Sequence, residues 1–467
     1  MVAQGLRGQK TFVYGWNASA AALAQYLLRS GADVSLVVES RSENFESVLE
    51  AELGASAPKV QVIEAAGALD AIRTASLVVV ANSKKLDAPL HENARALQIP
   101  VYPELEFVSL HVGGDVKFAS IVGTNGKSTT ANLLAAMLEK SGKKVFAAID
   151  RPIAQLLNRV EKTEWAILPT DCFQLEGIQT FAPDMVLFLN IAEDHTDRYP
   201  NYETYVASFR EILRNANSAT TLILNSQDPL IVNFIHASEA KKVLFGTQPV
   251  PEGFEGAWVS GTHQLNVRVR EHEGVLSFNL ANHRLRGSHN RENLMAAVLA
   301  AFHMGASVSA ITSAIDEVKT LTDRLQFVKR INSVAFYSDA ASNNPAAMKA
   351  SLHSFKEPII LIAGGRDKGL DYSILSQSVR QRVKNLLLVG EAKESLNRAL
   401  GDFTETFLVG TVEEAVIMAY QKSRSGDVVL FSPGCDHTDA FKSVAERGGA
   451  FTNLILEIDR PRRPNVI

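Results

Sequence analysis

The chain has 467 residues, 46% apolar and 21% charged, which supports several ordinary hydrophobic cores and excludes a disordered, collagen-like or coiled-coil protein. Lys and Arg number 47 against 51 Asp and Glu, a net charge of −4, so no basic excess exists to neutralise a nucleic-acid backbone. Two cysteines, Cys172 and Cys435, cannot build a disulfide scaffold or a four-cysteine zinc site, and they suit a reducing compartment.

Residues 1–10 are polar and lack the apolar core of a signal peptide. No stretch approaches the ~18–20 apolar residues that span a bilayer, so a cytoplasmic protein without a membrane partner is expected. Apolar runs at 11–14, 35–38 and 77–80 predict the first strands. The pattern restarts near His111-Val-Gly-Gly-Asp115, with further strands predicted at 165–168, 185–189 and 221–224. Residues 250–286 read as a β-rich excursion, 293–303 as helix, and a second restart falls at Thr320-Leu-Thr-Asp-Arg324. The last strands are predicted at 358–363, 385–389 and 427–431. Runs apolar on both faces, alternating with helical segments, imply mostly parallel sheets covered by helices. Three α/β domains, 1–113, 114–319 and 320–467, fit this order.

The strongest local signal is Phe118-Ala-Ser-Ile-Val-Gly123-Thr124-Asn125-Gly126-Lys127-Ser128-Thr129-Thr130. An apolar strand feeds a loop whose two glycines let backbone N–H groups curl around phosphate. A helix then starts at 127–130 and directs its positive end at the same anion. In such a loop Lys127 reaches the β- and γ-phosphates and the Ser128 hydroxyl ligates Mg²⁺. Ile121 stands where the first glycine of the general phosphate loop would fall, so this loop is a shorter form. ATP and Mg²⁺ are therefore the expected ligands, and Gly142 the expected end of the helix.

Gly123-Thr-Asn-Gly-Lys-Ser-Thr129 resembles the phosphate loop of the Mur ligases and folylpolyglutamate synthases. Further segments, in order, resemble the Mur branch that adds D-glutamate to UDP-N-acetylmuramoyl-L-alanine. They are Phe173-Gln-Leu-Glu176, Asn190-Ile-Ala-Glu-Asp-His-Thr-Asp-Arg-Tyr199, Gly287-Ser-His-Asn-Arg-Glu-Asn293, Leu321-Thr-Asp-Arg324, Ala363-Gly-Gly-Arg-Asp-Lys-Gly369, Ser432-Pro-Gly-Cys-Asp-His-Thr-Asp-Ala-Phe-Lys442 and Glu446-Arg-Gly448. The resemblance covers residue 115 to the C-terminus well and the first hundred residues loosely. It implies Rossmann-like first and third domains around a central phosphate-loop ATPase sheet. The implied activity is ATP-dependent amide formation through an acyl phosphate in peptidoglycan precursor synthesis, by a monomer. The implied partners are UDP-N-acetylmuramoyl-L-alanine and an amino acid, D-glutamate in this branch.

The resemblance also implies roles. Gly123 to Thr129, with Asn290, Asn293, Arg324 and Asp339, would bind ATP, and Lys127, His195 and Arg324 would serve catalysis. Ser128, His195 and Asp171 would face the metal, while Glu39, Lys368, His437 and Lys442 would meet the substrates. Asn290 is in addition a plausible helix N-cap. Against the family pattern, Pro169 stands at a magnesium-binding glutamate and Phe209 at a lysine that is carbamylated in the family. No lysine occurs near Ala341, His437 and Val444 replace a serine and a phenylalanine, and Gly15-Trp-Asn-Ala-Ser19 replaces a glycine-rich turn. Two readings follow: a ligase with an altered cleft or acceptor, or a Mur-like nucleotide-binding protein without turnover.

Overall fold

The computed structural model describes residues 5–42, 44–81, 88–113, 115–234 and 238–458. Among these residues three separate sheets follow one another along the chain. The first is fully parallel, with strands in the spatial order Gln61–Glu64, Asp33–Val38, Lys10–Tyr14, Leu77–Val80, Val101–Pro103. Alternate side chains go to opposite faces, as the strand period requires. Val13, Leu36 and Val79 pack with the helix Ala18–Arg29, and Phe12, Val37 and Val78 pack on the other side. That helix starts where the Asn17 side chain accepts the Ala20 N–H at 3.0 Å, an ordinary N-cap.

Among the described residues the central sheet has nine strands. Lys117–Val122 lies between Met185–Phe188 and Trp165–Thr170 and is parallel to both. Val145–Ala147 lies beyond Trp165–Thr170, at one edge. Connections leave Lys117–Val122 toward that edge, and later strands build the other side. The carboxyl end of Lys117–Val122 is thus a switch point, where a crevice opens in α/β sheets. The expected β-rich excursion is an antiparallel meander, Gly256–Ser260, Gln264–Arg268 and Leu276–Asn279. The helices Lys127–Lys140 and Ser288–His303 cover one face, with Leu134 and Leu138 sharing a core with Leu294 and Val298.

In the third sheet Gln326–Ile331 pairs antiparallel with Val334–Ser338. Val428–Phe431, Ile359–Gly364, Val383–Val389 and Glu405–Leu408 continue it in parallel. Every strand predicted from an apolar run is present, with ends displaced by a residue or two. Among the described residues no helix is long and apolar enough to cross a membrane.

Candidate active site

The loop after Lys117–Val122 turns through Gly123 at φ +141° and Gly126 at φ +92°, both unfavourable for a residue with a β-carbon. Space requires these glycines as well. A Cβ on Gly123 would lie 2.8 Å from the Asn190 carbonyl oxygen, and one on Gly126 would lie 2.3 Å from Asn293 Oδ1. Helix Lys127–Lys140 begins directly at Gly126, so its free N–H groups face the crevice. It ends at Ser141, followed by Gly142 at φ +75°.

Asn190 stitches the loop to the next strand end. Its Oδ1 accepts the Asn125 N–H at 2.9 Å, its Nδ2 donates to the Asn125 carbonyl at 2.9 Å, and its carbonyl accepts the Thr124 N–H at 2.9 Å. The Thr124 hydroxyl donates to the Ala192 carbonyl at 3.0 Å and lies 2.9 Å from the Tyr205 hydroxyl. Lys127 Nζ donates to the Gly123 and Thr124 carbonyls at 2.7 and 3.0 Å and pairs with Asp171 Oδ1 at 3.0 Å. Asp171 also forms a capping box with Gln174, which fixes its backbone.

Two cavities meet across this loop. One of about 740 Å³ is lined by Lys127, Ser128, Asp171 and His195, with Asn17 to Ser19 from the first helix and Val444 from the third region. His195, at φ +54°, stacks edge-on to Phe173 at 5.7 Å. The other, about 270 Å³, is lined by Asn125, Thr129, Asn290 and Asn293 and by apolar Leu285, Leu321 and Ala347. The His289 ring lines it too, and burial pulls its pKa down to about 4, which leaves a neutral imidazole. Asn290 does not cap its helix: the N-cap of Ser288–His303 is Gly287, and Asn290 stands one turn in. There its Nδ2 donates to the Arg286 carbonyl at 2.6 Å and its Oδ1 accepts from Asn293 at 3.1 Å.

Arg324 and Asp339 reach this crevice from the third sheet region. Arg324 lines both cavities, with Nη2 3.5 Å from Ser128 Oγ. Burial lowers its pKa, opposed by the charges of Asp339, Asp150 and Asp171. Asp339 accepts bonds from Ser351 Oγ at 2.6 Å, Ser432 Oγ at 2.8 Å and the Leu325 N–H at 3.1 Å. Burial nonetheless pushes its carboxyl up to about 6. A second bridge joins the same regions: Lys368 Nζ lies 2.5 Å from Asp194 Oδ1, while Asn344 Nδ2 donates to Asp194 Oδ2 at 2.9 Å. Burial by itself would raise the Asp194 carboxyl, but Lys368 and His195 hold it below its usual value. Asn344 also exchanges amide bonds of 3.2 and 3.3 Å with Asn125 of the loop.

The remaining expected residues do not converge on the loop. Lys368 is engaged with Asp194 and its side chain is mostly covered, so it offers no free ammonium to the cavity. His437 Nδ1 lies 3.4 Å from Asp436 Oδ1, and Lys442 is exposed just before the helix Val444–Ile458. Glu39 is exposed immediately after the strand Asp33–Val38. Pro169 sits in its strand opposite Ile121 and lines the larger cavity without a donor. Phe209 is 1% exposed, edge-on to Tyr205 at 5.1 Å, inside an aromatic cluster with Tyr199. Two of the quoted motifs meet each other rather than a ligand, Arg198 forming a two-pronged pair with Glu176 at 3.0 and 2.7 Å.

Comparison with known proteins identifies the family. Residues 121–301 match the family model described as Mur ligase middle domain, and residues 323–435 match the Mur ligase glutamate ligase domain. The UDP-N-acetylmuramoylalanine–D-glutamate ligase of Bdellovibrio bacteriovorus is 36% identical over 96% of this chain and 98% of its own length. The ligase of the same name from Geotalea uraniireducens is 36% identical over 82% of this chain and 84% of its own. Among solved structures, UDP-N-acetylmuramate–alanine ligase MurC of Thermotoga maritima superposes with a TM-score of 0.59 at 17% identity, covering 96% of this chain and 100% of that one. MurF of Acinetobacter baumannii gives 0.61 at 13% identity, covering 97% and 92%, and at such identities the likeness is one of fold.

Proposed function

Because the chain belongs to the Mur ligase family, in its UDP-N-acetylmuramoylalanine–D-glutamate ligase branch, we propose that it adds D-glutamate to UDP-N-acetylmuramoyl-L-alanine with cleavage of ATP to ADP and phosphate. The observation that carries this reading is the phosphate loop at a switch point, faced by Arg324 and Asp339 from the third region. We divide the chain at 113/114 and 319/320. The first domain takes the UDP-sugar, the second ATP, and the third closes on both, in the cytoplasm and as a monomer.

In this reading the adenosine end of ATP occupies the smaller cavity, against Leu285, Leu321 and Ala347, with Asn290 and Asn293 at its polar rim. The triphosphate runs over the loop toward Lys127. Lys127 then exchanges the Gly123 and Thr124 carbonyls for phosphate oxygens, and Arg324 supplies the second cation. These two charges neutralise the γ-phosphoryl group as it moves to the substrate carboxylate and ADP leaves. The amine of the amino acid attacks the resulting acyl phosphate, losing a proton and expelling phosphate. His195 hydrogen-bonds the phosphoryl oxygens from the facing wall.

The oxygen donors in the larger cavity, Ser128 and Asp171, fit Mg²⁺, which prefers oxygen ligands and keeps much of its water. When bound, Mg²⁺ neutralises charge on the nucleotide phosphates. A second cation held through a carbamylated lysine does not fit this chain, because Phe209 offers only a buried phenyl ring. His437 and Val444 stand where the family pattern has a serine and a phenylalanine at the acceptor site. Incubation with ATP, Mg²⁺, UDP-N-acetylmuramoyl-L-alanine and D-glutamate should yield the UDP-sugar dipeptide by mass spectrometry. ATP binding without any such product would favour the nucleotide-binding reading.

A further inference from the structure

The strand Trp165–Thr170 brings Pro169 to the larger cavity, and proline has no side-chain donor for a cation. A carboxylate enters the same cavity from the neighbouring edge strand. Asp150 follows Val145–Ala147 by three residues, and Ala147 pairs with Ile167 of the strand that carries Pro169. The obvious partner for Asp150 is turned away from it. Arg151 Nε donates to the Ala147 carbonyl at 2.5 Å, and its guanidinium sits 4.9 Å from the Phe146 ring centre. Asp150 forms no hydrogen bond and no ion pair among the described residues. It is exposed to the cavity that Ser128, Lys127 and Asp171 also line, and the Arg324 guanidinium feels both carboxylates.

These positions have a simple charge logic. Asp171 is committed to Lys127 at 3.0 Å, and nucleotide phosphates would take over that ammonium. Two carboxylates and one hydroxyl then border the phosphate path, the kind of partial oxygen shell with which Mg²⁺ binds beside substrate phosphates. We propose that Asp150, together with Asp171 and Ser128, holds the Mg²⁺ of the bound nucleotide, replacing from the adjacent loop the carboxylate that Pro169 lacks. The proposal rests on the nucleotide reading given above, and its test separates the two.

The test uses Mn²⁺ as probe, with free Mn²⁺ read by electron paramagnetic resonance while it is titrated into the full chain and a non-hydrolysable ATP analogue. Asp150→Asn keeps a side chain that tolerates the φ of +52° at this position. It should weaken Mn²⁺ binding to the protein–nucleotide complex by about tenfold or more, with metal-free nucleotide affinity, measured calorimetrically in EDTA, changed less than about threefold. Asp150→Gly, the second variant, should behave alike, and adding Pro169→Glu to Asp150→Asn should restore Mn²⁺ affinity. Unchanged Mn²⁺ affinity in both Asp150 variants, with the wild type binding nucleotide and metal normally, would overturn this assignment and leave the ligase reading intact. A wild type that binds no nucleotide would overturn both.

Discussion

Asp339 shows how a single residue ties the nucleotide crevice to the stability of the fold. Its carboxyl is buried and satisfied by two serine hydroxyls and one N–H, yet it titrates near pH 6, above the ~3.9 of a free aspartate. Between those values the native state binds the proton and the unfolded state does not. The contribution is therefore lost as pH rises through that window, and the ionised group costs on the order of 2–3 kcal/mol at pH 7. Asp339→Asn removes this dependence. Urea midpoints should show the variant gaining about 2 kcal/mol relative to wild type from pH 4 to pH 7. A difference that is constant across pH would contradict the account. The same variant should bind nucleotide more weakly if the buried charge helps to orient Arg324.

At the scale of elements, the phosphate loop was readable because its glycines, lysine and serine are contiguous, and the strands were readable because buried parallel strands are apolar on both sides. What holds the loop in place was not readable. Asn190 lies 65 residues from Asn125, and Asn344 lies 219 residues from it, so no local pattern announces those bonds. Asn290 is not the N-cap for a local reason: Gly287, three residues earlier, takes that position, and the helix has already begun at Ser288. The role of Asp150 was equally hidden, because it depends on where Arg151 points. The loop's dependence on Asn293 can be tested with Gly126→Ala. Its new methyl at φ +92° would strike Asn293 Oδ1, which belongs to a different helix. Nucleotide affinity should fall by about tenfold or more while the melting temperature drops only modestly, since backbone strain of this kind costs ~1–2 kcal/mol. Full affinity in the variant would show that the loop and Asn293 are not coupled.

At the scale of the whole molecule, polar contacts tie the central and third sheet regions together beside the phosphate loop. Lys368 on Asp194, Asn344 on Asn125 and Arg324 beside Ser128 all cross that boundary. In the proposed function, closure across this boundary would bring the nucleotide and the acceptor together and exclude water from the acyl phosphate. Lys368→Ala would leave Asp194, 4% exposed, without its cation, at a cost of about 3 kcal/mol. Small-angle scattering should then report a larger radius of gyration, and the ATP dependence of turnover should shift to higher concentration. Unchanged dimensions would mean that the pair is incidental to closure. The first region was the least legible of the three, because the residues that replace its glycine-rich turn appear in the sequence only as a departure, whereas Asn17 is in fact a helix cap facing the larger cavity.

The central claim is that this cleft, with Pro169 and Phe209 in place of expected metal-site residues, still makes an amide bond to a D-amino acid. The direct measurement is phosphate release from ATP with UDP-N-acetylmuramoyl-L-alanine across matched D- and L-amino acids. The account predicts release that requires the UDP-sugar and D-glutamate together and is absent with L-glutamate. Bound ATP without release for any amino acid would contradict it.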